Sequence, residues 1–240
     1  ETSEKLYEHS RLGGAKVVWI ADAALLTEAA ANALLKTLEE PPKNTWFFLA
    51  CEEPARLLAT LRSRCRFYHL APPNEAYALA WLEREISQPR ETLLTALRLC
   101  DHAPAAALDL LAADTWGARE KLCQALSATL NSGDWLALLP SLNHDSAVAR
   151  LHWLSSLLLD ALKHQQRITR LTNVDSVDLV NRLANALSAS RLQAIAADAC
   201  TCREQLLSVT GLNRELILTE RLLRWEQYLQ PGAVLPVSHL

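Results

Sequence analysis

The chain contains little glycine and no long apolar run. Only 6 of its 240 residues are glycine, whereas 50% are hydrophobic, with Leu and Ala the most common. Because Leu and Ala favour helices and glycine disfavours them, this composition predicts a mostly helical protein with a sizeable core. No apolar run approaches the ~18 residues expected of a membrane-spanning helix. We therefore expect no membrane-spanning segment.

An excess of positive charge is also missing. The chain has 24 Lys and Arg residues against 27 Asp and Glu residues, which gives a net charge of −3 and a pI near 6.2. Domains that bind nucleic acid by net charge alone are usually strongly basic. The composition argues against that class of protein but leaves a local basic patch open.

The cysteines and histidines show no metal-site or catalytic spacing. None of the six cysteines, at positions 51, 65, 100, 123, 200 and 202, forms a C-x2-C pair. Cys200 and Cys202 would point in different directions on a helix, because residues i and i+2 do not share a face. No histidine stands in an H-E-x-x-H arrangement. We predict no metal, no catalytic histidine, and the reduced, mostly buried thiols of a cytoplasmic protein.

The first 71 residues alternate between strand and helix patterns. Apolar runs at 16–20, 46–50 and 66–70 predict three short strands. A helix is expected after Thr27, which can cap it, and it should end at Pro41. A second helix is expected over 54–61. Such alternation predicts an α/β unit with a parallel sheet. Since the opening segment already has a helical pattern, we expect the chain to begin inside a domain.

The rest of the chain is predicted to be all-α. Pro72 and Pro73 mark a boundary, and short helices are expected after Asn74, after Pro89 and from about Pro104. A break at 112–115 then leads to a helical region, with segments predicted near 116–131, 134–142, 146–164, 174–187, 189–210 and 213–229. The predicted division is therefore 1–71, 72–113 and 114–240.

Residues 32–42 carry the most specific motif. They spell NALLKTLEEPP, which resembles the N-A-L-L-K-x-L-E-E-P-P motif of clamp-loader ATPases in the AAA+ class. The later run Ser63, Arg64, Cys65 resembles the Ser-Arg-Cys motif of the same family. The end of the chain, around residues 211–216, resembles the bacterial delta-prime family of clamp-loader proteins. The resemblance implies the C-terminal portion of an AAA+ (RecA-like) α/β domain, followed by an all-α lid and an all-α collar for oligomerisation.

Several positions depart from the pattern of active relatives. The Asp-Glu pair that such relatives use for magnesium and the attacking water aligns with Ala21 and Asp22. Where they carry hydroxyl residues near the γ-phosphate, this chain has Cys51 and Glu52, and a carboxylate beside a phosphate is unfavourable. Ala105 stands where a lid arginine would reach the nucleotide. The resemblance thus implies a degenerate ATPase with no cofactor of its own.

Arg64 keeps the residue type that the family uses as a trans arginine finger. In the family, the Arg of Ser-Arg-Cys points across a subunit interface at the neighbour's ATP. Outside this context Arg64 would be an ordinary surface or ion-paired arginine. Arg62 and Arg66 are interpreted as solvated charges, with phosphate or DNA contact as the alternative. Lys36, Glu39 and Glu40 are expected to shape the end of their helix.

The resemblance also implies partners. They are the gamma or tau ATPase subunits and the delta subunit of the DNA polymerase III clamp loader, with the sliding clamp and primer-template DNA reached through the assembly. The implied role is a non-hydrolysing stator within the polymerase holoenzyme. Two alternatives stay open: an active ATPase whose phosphate loop lies upstream of this segment, and a helical scaffold that takes no part in catalysis.

Overall fold

A computed structural model describes residues 14–51 and 54–236. The chain divides into two compact units, residues 1–71 and 72–240. The first unit holds a small parallel sheet and the second consists of helices. This arrangement confirms the predicted fold class.

Two parallel strands form the sheet of the first unit. Strand β1 is Lys16–Ile20 and strand β2 is Thr45–Leu49, paired from Lys16 opposite Thr45 to Ile20 opposite Leu49. Helix α1, Glu28–Glu39, connects them. As predicted, Thr27 caps it, with Oγ1 accepting a hydrogen bond from the Ala30 amide at 3.2 Å. One face of the sheet is more open than a buried strand implies, since the side chains at 17, 19, 46 and 48 are 49–66% exposed.

The predicted third strand is wrong. Residues 66–70 form no strand, and Phe67, Tyr68 and Leu70 are exposed. A strand needs a neighbouring edge that supplies N–H and C=O partners. Among the described residues, β1 and β2 pair only with each other. Residues 66–70 have the apolar composition of a strand, but such a segment forms a strand only where a neighbouring edge is available.

The helix predicted over 54–61 is shorter and interrupted. A 3₁₀ turn covers Pro54–Arg56, and helix α2 covers only Ala59–Arg62. Leu58 between them has extended backbone angles, φ −52° and ψ 131°. Its carbonyl accepts hydrogen bonds from the amides of Leu61 and Arg62, so it starts a new helix instead of continuing the first turn.

Helices build the second unit close to the predicted positions, except that a helix beginning at Ala113 covers most of the predicted break at 112–115. In chain order they are α3 Glu75–Glu85, α4 Arg90–Leu99, α5 Pro104–Leu110, α6 Ala113–Ser132, α7 Leu139–Leu142, α8 Ala147–Gln165, α9 Val177–Ala186, α10 Ala189–Ser208 and α11 Arg214–Leu229. One hydrophobic core runs from Ala78 to Trp225. Trp135 and Trp225 meet edge to face in it, with ring centroids 6.1 Å apart. This shared hydrophobic core therefore holds the helices of the second unit together.

A buried polar network joins several helices of this unit. Arg119 of α6 binds both carboxylate oxygens of Asp175, at 2.6 and 3.0 Å, and the Asn173 side chain at 2.9 Å. Thr95 of α4 donates to Asp175 at 3.0 Å. Asp160 of α8 accepts from the amides of Thr172 and Asn173. Because a buried charge is tolerated only when it is paired, these contacts specify how the helices fit together.

The end of α8 offers a stabilising substitution. Arg167 has a φ of 58°, and its amide and that of Ile168 close the helix by bonding to His164 and Lys163. Glycine adopts this left-handed angle without a side-chain clash, so Arg167→Gly is expected to raise the free energy of unfolding by about 0.5–1 kcal/mol. Urea unfolding of the full-length protein measures the difference.

The matched control for that prediction is Gly133→Ala at the end of α6. Gly133 has a φ of 77°, and a Cβ there would meet no heavy atom within 4 Å. Only the backbone angle opposes alanine, so a loss of about 1 kcal/mol is expected. If Arg167→Gly destabilised the protein while Gly133→Ala behaved as expected, contacts of the Arg167 side chain would outweigh its backbone strain.

Candidate functional site

The carboxyl ends of the two parallel strands lie side by side. The residues that the family resemblance places at a nucleotide site follow these ends. The Ala50 amide bonds to the Ile20 carbonyl at 2.9 Å, and the Ala23 amide bonds to the Ala50 carbonyl at 2.8 Å. Ala21 and Asp22 therefore follow β1 beside the end of β2. Glu52, the other acidic residue predicted there, lies outside the described residues.

Asp22 already has a local structural role. Its Oδ1 accepts a hydrogen bond from the Ala24 amide at 3.0 Å and caps the 3₁₀ turn Ala23–Leu25. Ala21 beside it has only a methyl side chain. Of these two positions only Asp22 carries a carboxylate, and it is engaged with its own backbone, whereas magnesium-dependent hydrolysis normally uses two acidic groups there.

Ala105 lies in the second unit, exposed in the first turn of α5. Its side chain has no hydrogen-bond donor, so it cannot contact a phosphate as an arginine would. The residues before this helix, Asp101 and His102, have left-handed φ angles of 49° and 65°.

Arg64 follows α2, and two residues of the same chain bind its guanidinium. Its Nε donates to Glu39 Oε1 at 2.8 Å, and Nη2 donates to the same oxygen. Its Nη1 donates to the Thr60 carbonyl at 3.0 Å. A guanidinium has five N–H donors, so three bonds leave two without a partner among the described residues. The Arg64 side chain is 34% exposed, so part of it faces solvent.

The neighbours of Arg64 in its motif have structural contacts. Ser63 ends α2, and its hydroxyl donates to the Thr60 carbonyl at 3.0 Å. Cys65 is half-buried, and this burial raises the pKa of its thiol. A thiol with a raised pKa stays protonated near neutral pH and is a poor nucleophile. Of the three residues, only Arg64 offers chemistry to a partner.

The flanking arginines are placed differently. Arg62 Nη1 donates to the Pro54 carbonyl at 3.3 Å, and the Arg66 guanidinium lies 5.3 Å from the centre of the Tyr68 ring. Among the described residues, neither forms an ion pair with a carboxylate, whereas Arg64 pairs with Glu39. Sequence reasoning missed that pair, because the two residues are 25 positions apart and no periodicity links them.

The described residues contain no group of three or more His, Cys, Asp and Glu side chains suited to holding a metal ion. Within the same ranges, no helix combines the length and the apolar character needed to cross a membrane.

Comparison with known proteins decides the family. A protein described as DNA polymerase III subunit delta′, from Escherichia coli (strain K12), is 65% identical over 240 residues, which cover 100% of this chain and 72% of that protein. The chain belongs to the DNA polymerase III subunit delta′ family. A relative with the same description from Yersinia pestis is 52% identical and covers 95% of this chain and 69% of its own length.

Family models match along nearly the whole chain. The model described as DNA polymerase III, delta subunit, matches residues 1–74, and the delta′ AAA+ ATPase lid domain matches 73–112. The C-terminal model of the delta subunit matches 113–227. Among solved structures, a gamma subunit-related protein from Thermotoga maritima aligns with a TM-score of 0.46 at 20% identity, covering 95% of this chain and 77% of that one. Membership in the delta-prime family makes the chain a DNA polymerase III component of the AAA+ clamp-loader class.

Proposed function

We propose that this chain is the non-hydrolysing stator of the clamp loader and supplies Arg64 in trans to a neighbouring subunit's ATP. In this role it helps load the sliding clamp onto primed DNA in the cytoplasm. The neighbours are the gamma or tau ATPase subunits and the delta subunit. Residues 1–71 act as the C-terminal portion of the AAA+ domain, residues 72–113 as the lid, and residues 114–240 as the collar that joins the ring.

The observation that carries this proposal is the arrangement of the Arg64 guanidinium. It is partly exposed, and after its bonds to Glu39 and Thr60 two of its five donors have no partner among the described residues. Planar paired donors with a permanent charge match phosphate oxygens and the charge that develops during phosphoryl transfer.

The same chain offers poor chemistry for hydrolysis of its own ATP. Ala21 lacks a magnesium ligand, Asp22 caps a turn, and Ala105 cannot reach a phosphate. Each change removes a contribution that phosphoryl transfer depends on. These positions favour a subunit that completes another site over one that turns over nucleotide itself.

A scaffold without a catalytic role is the second candidate. The ion pair between Arg64 and Glu39 favours it, because such a pair can simply join the ends of α1 and α2. However, both partners are substantially exposed, with 34% and 51% of their side chains accessible. Exposed pairs contribute only about 0–1 kcal/mol to stability, so a purely structural role gains little from an arginine here.

ATP hydrolysis by a reconstituted loader separates the two candidates. The full-length protein is assembled with its partners, clamp and primed DNA, either unchanged or carrying Arg64→Ala. A large loss of turnover with complete assembly supports the trans role. Unchanged turnover overturns it and leaves the scaffold.

A further inference from the structure

Glu39 lies at an electrostatically unfavourable place for a carboxylate. It is the last residue of α1, where the helix dipole is negative, and Glu40 follows it directly. Acidic residues near a helix C-terminus lower helix stability. Helix stability therefore does not explain Glu39, and the explanation has to come from what its side chain contacts.

The Glu39 carboxylate contacts the side of the Arg64 guanidinium that carries Nε and Nη2. One carboxylate oxygen, Oε1, accepts from both Nε and Nη2. The Thr60 carbonyl accepts from Nη1. Each guanidinium nitrogen therefore makes one of these bonds. Nη1 and Nη2 each keep one further N–H group. Each of these N–H groups can donate to a phosphate oxygen, and the guanidinium keeps its positive charge while Glu39 and Thr60 bind it.

An arginine without such a partner would sample many rotamers. Its long side chain loses considerable conformational freedom when it is fixed on a phosphate. Contacts made before the phosphate arrives reduce that loss, and misplacement of a catalytic group by about 1 Å can lower a rate by ~10². A fixed guanidinium is thus a better finger than a free one.

From this geometry we infer that Glu39 is the positioning residue for Arg64: its carboxylate orients the guanidinium so that the remaining donor pair serves the neighbouring ATP. The inference rests on the proposed function of Arg64. It assigns to Glu39 a role in the catalytic step, beyond ending its helix.

The test is a double-mutant cycle in the reconstituted loader made with full-length protein. Glu39→Ala is expected to lower kcat for ATP about tenfold, with KM and assembly unchanged, because orientation matters most when charge develops in the transition state. Glu39→Gln keeps an oxygen acceptor and should lose less than Glu39→Ala. In the Arg64→Ala background, Glu39→Ala should cause no further loss, since a positioning residue acts only through the group it positions.

Glu40→Ala is the matched control. It removes the same charge one residue further on, and the hydrogen bonds and ion pair of Arg64 involve Glu39 and Thr60 and not Glu40, so kcat should be unchanged. A general effect of charge or of helix stability would appear in both variants. Only the loss of orientation is specific to Glu39.

The outcomes separate this inference from the proposed function. If Arg64→Ala abolishes turnover but Glu39→Ala leaves it unchanged or raises it, Arg64 remains a finger and the positioning role of Glu39 is overturned. The role is likewise overturned if the losses from Glu39→Ala and Arg64→Ala add fully. If Arg64→Ala has no effect, both proposals fall together.

Discussion

Replacing Arg64 with alanine is expected to slow ATP hydrolysis at the neighbouring site by about 10³, the lower end of the range for arginine fingers in phosphoryl transfer. In the proposed role, the two remaining donors of Arg64 would supply positive charge where the transition state develops negative charge, and alanine would leave that charge unmatched. Single-turnover hydrolysis by the loader with clamp and primed DNA measures the effect.

Two substitutions serve as controls for the arginine-finger prediction. Arg64→Lys keeps the charge but lacks the planar fork, so it should restore only a small part of the rate. Arg66→Ala removes an equal charge two residues away, where the guanidinium lies over Tyr68, and should leave the rate near its starting value. A comparable loss in Arg66→Ala would mean that the local positive charge matters and not Arg64 itself.

Replacing Asp160 with alanine is expected to lower the free energy of unfolding by about 3–5 kcal/mol, the range for breaking a buried charged network. Asp160 is fully buried, and its Oδ2 accepts from the Thr172 amide at 2.8 Å and the Asn173 amide at 2.7 Å. The Asn173 side chain and the Lys163 ammonium also donate to it. Alanine leaves the backbone amides of Thr172 and Asn173 without this acceptor, and an unsatisfied buried donor costs more than its bond contributes.

Urea unfolding of the full-length protein, followed by far-ultraviolet circular dichroism, measures the stability change. Asp145→Ala is the control, because Asp145 is an acidic partner of Arg214 at 3.1 Å but is 96% exposed. Exposed pairs contribute little, so its effect should stay within about 0.5 kcal/mol. A loss below 1 kcal/mol for Asp160→Ala would show that water or a rearranged loop satisfies the donors.

Local signals predicted most of the helices. Thr27, Asn74, Ser188 and Asn213 all cap helices through their side chains, and prolines or glycine stand near several ends. Such caps act within a few residues of the chain, so they can be recognised without knowing the fold. The paired strands β1 and β2 were found in the same way from their apolar runs.

The failures concern interactions between distant parts of the chain. The segment 66–70 has the composition of a strand, yet it forms none, because strand formation depends on a neighbouring edge. Asp160 drew no attention in the sequence, although it is a fully buried acceptor in the structure. Which side chains become buried or paired depends on which helices and strands pack together, and sequence periodicity does not reveal this.

By itself, the sequence determined the helical composition, the positions of most elements, the motif at 32–42 and the identity of Arg64, because these depend on residue type and near neighbours. Tertiary structure alone decided that Glu39 holds Arg64 and that Asp160 and Arg119 organise the helical unit. Those contacts join residues far apart in the chain. Their strength comes from burial, geometry and paired charge, which exist only once the chain has folded.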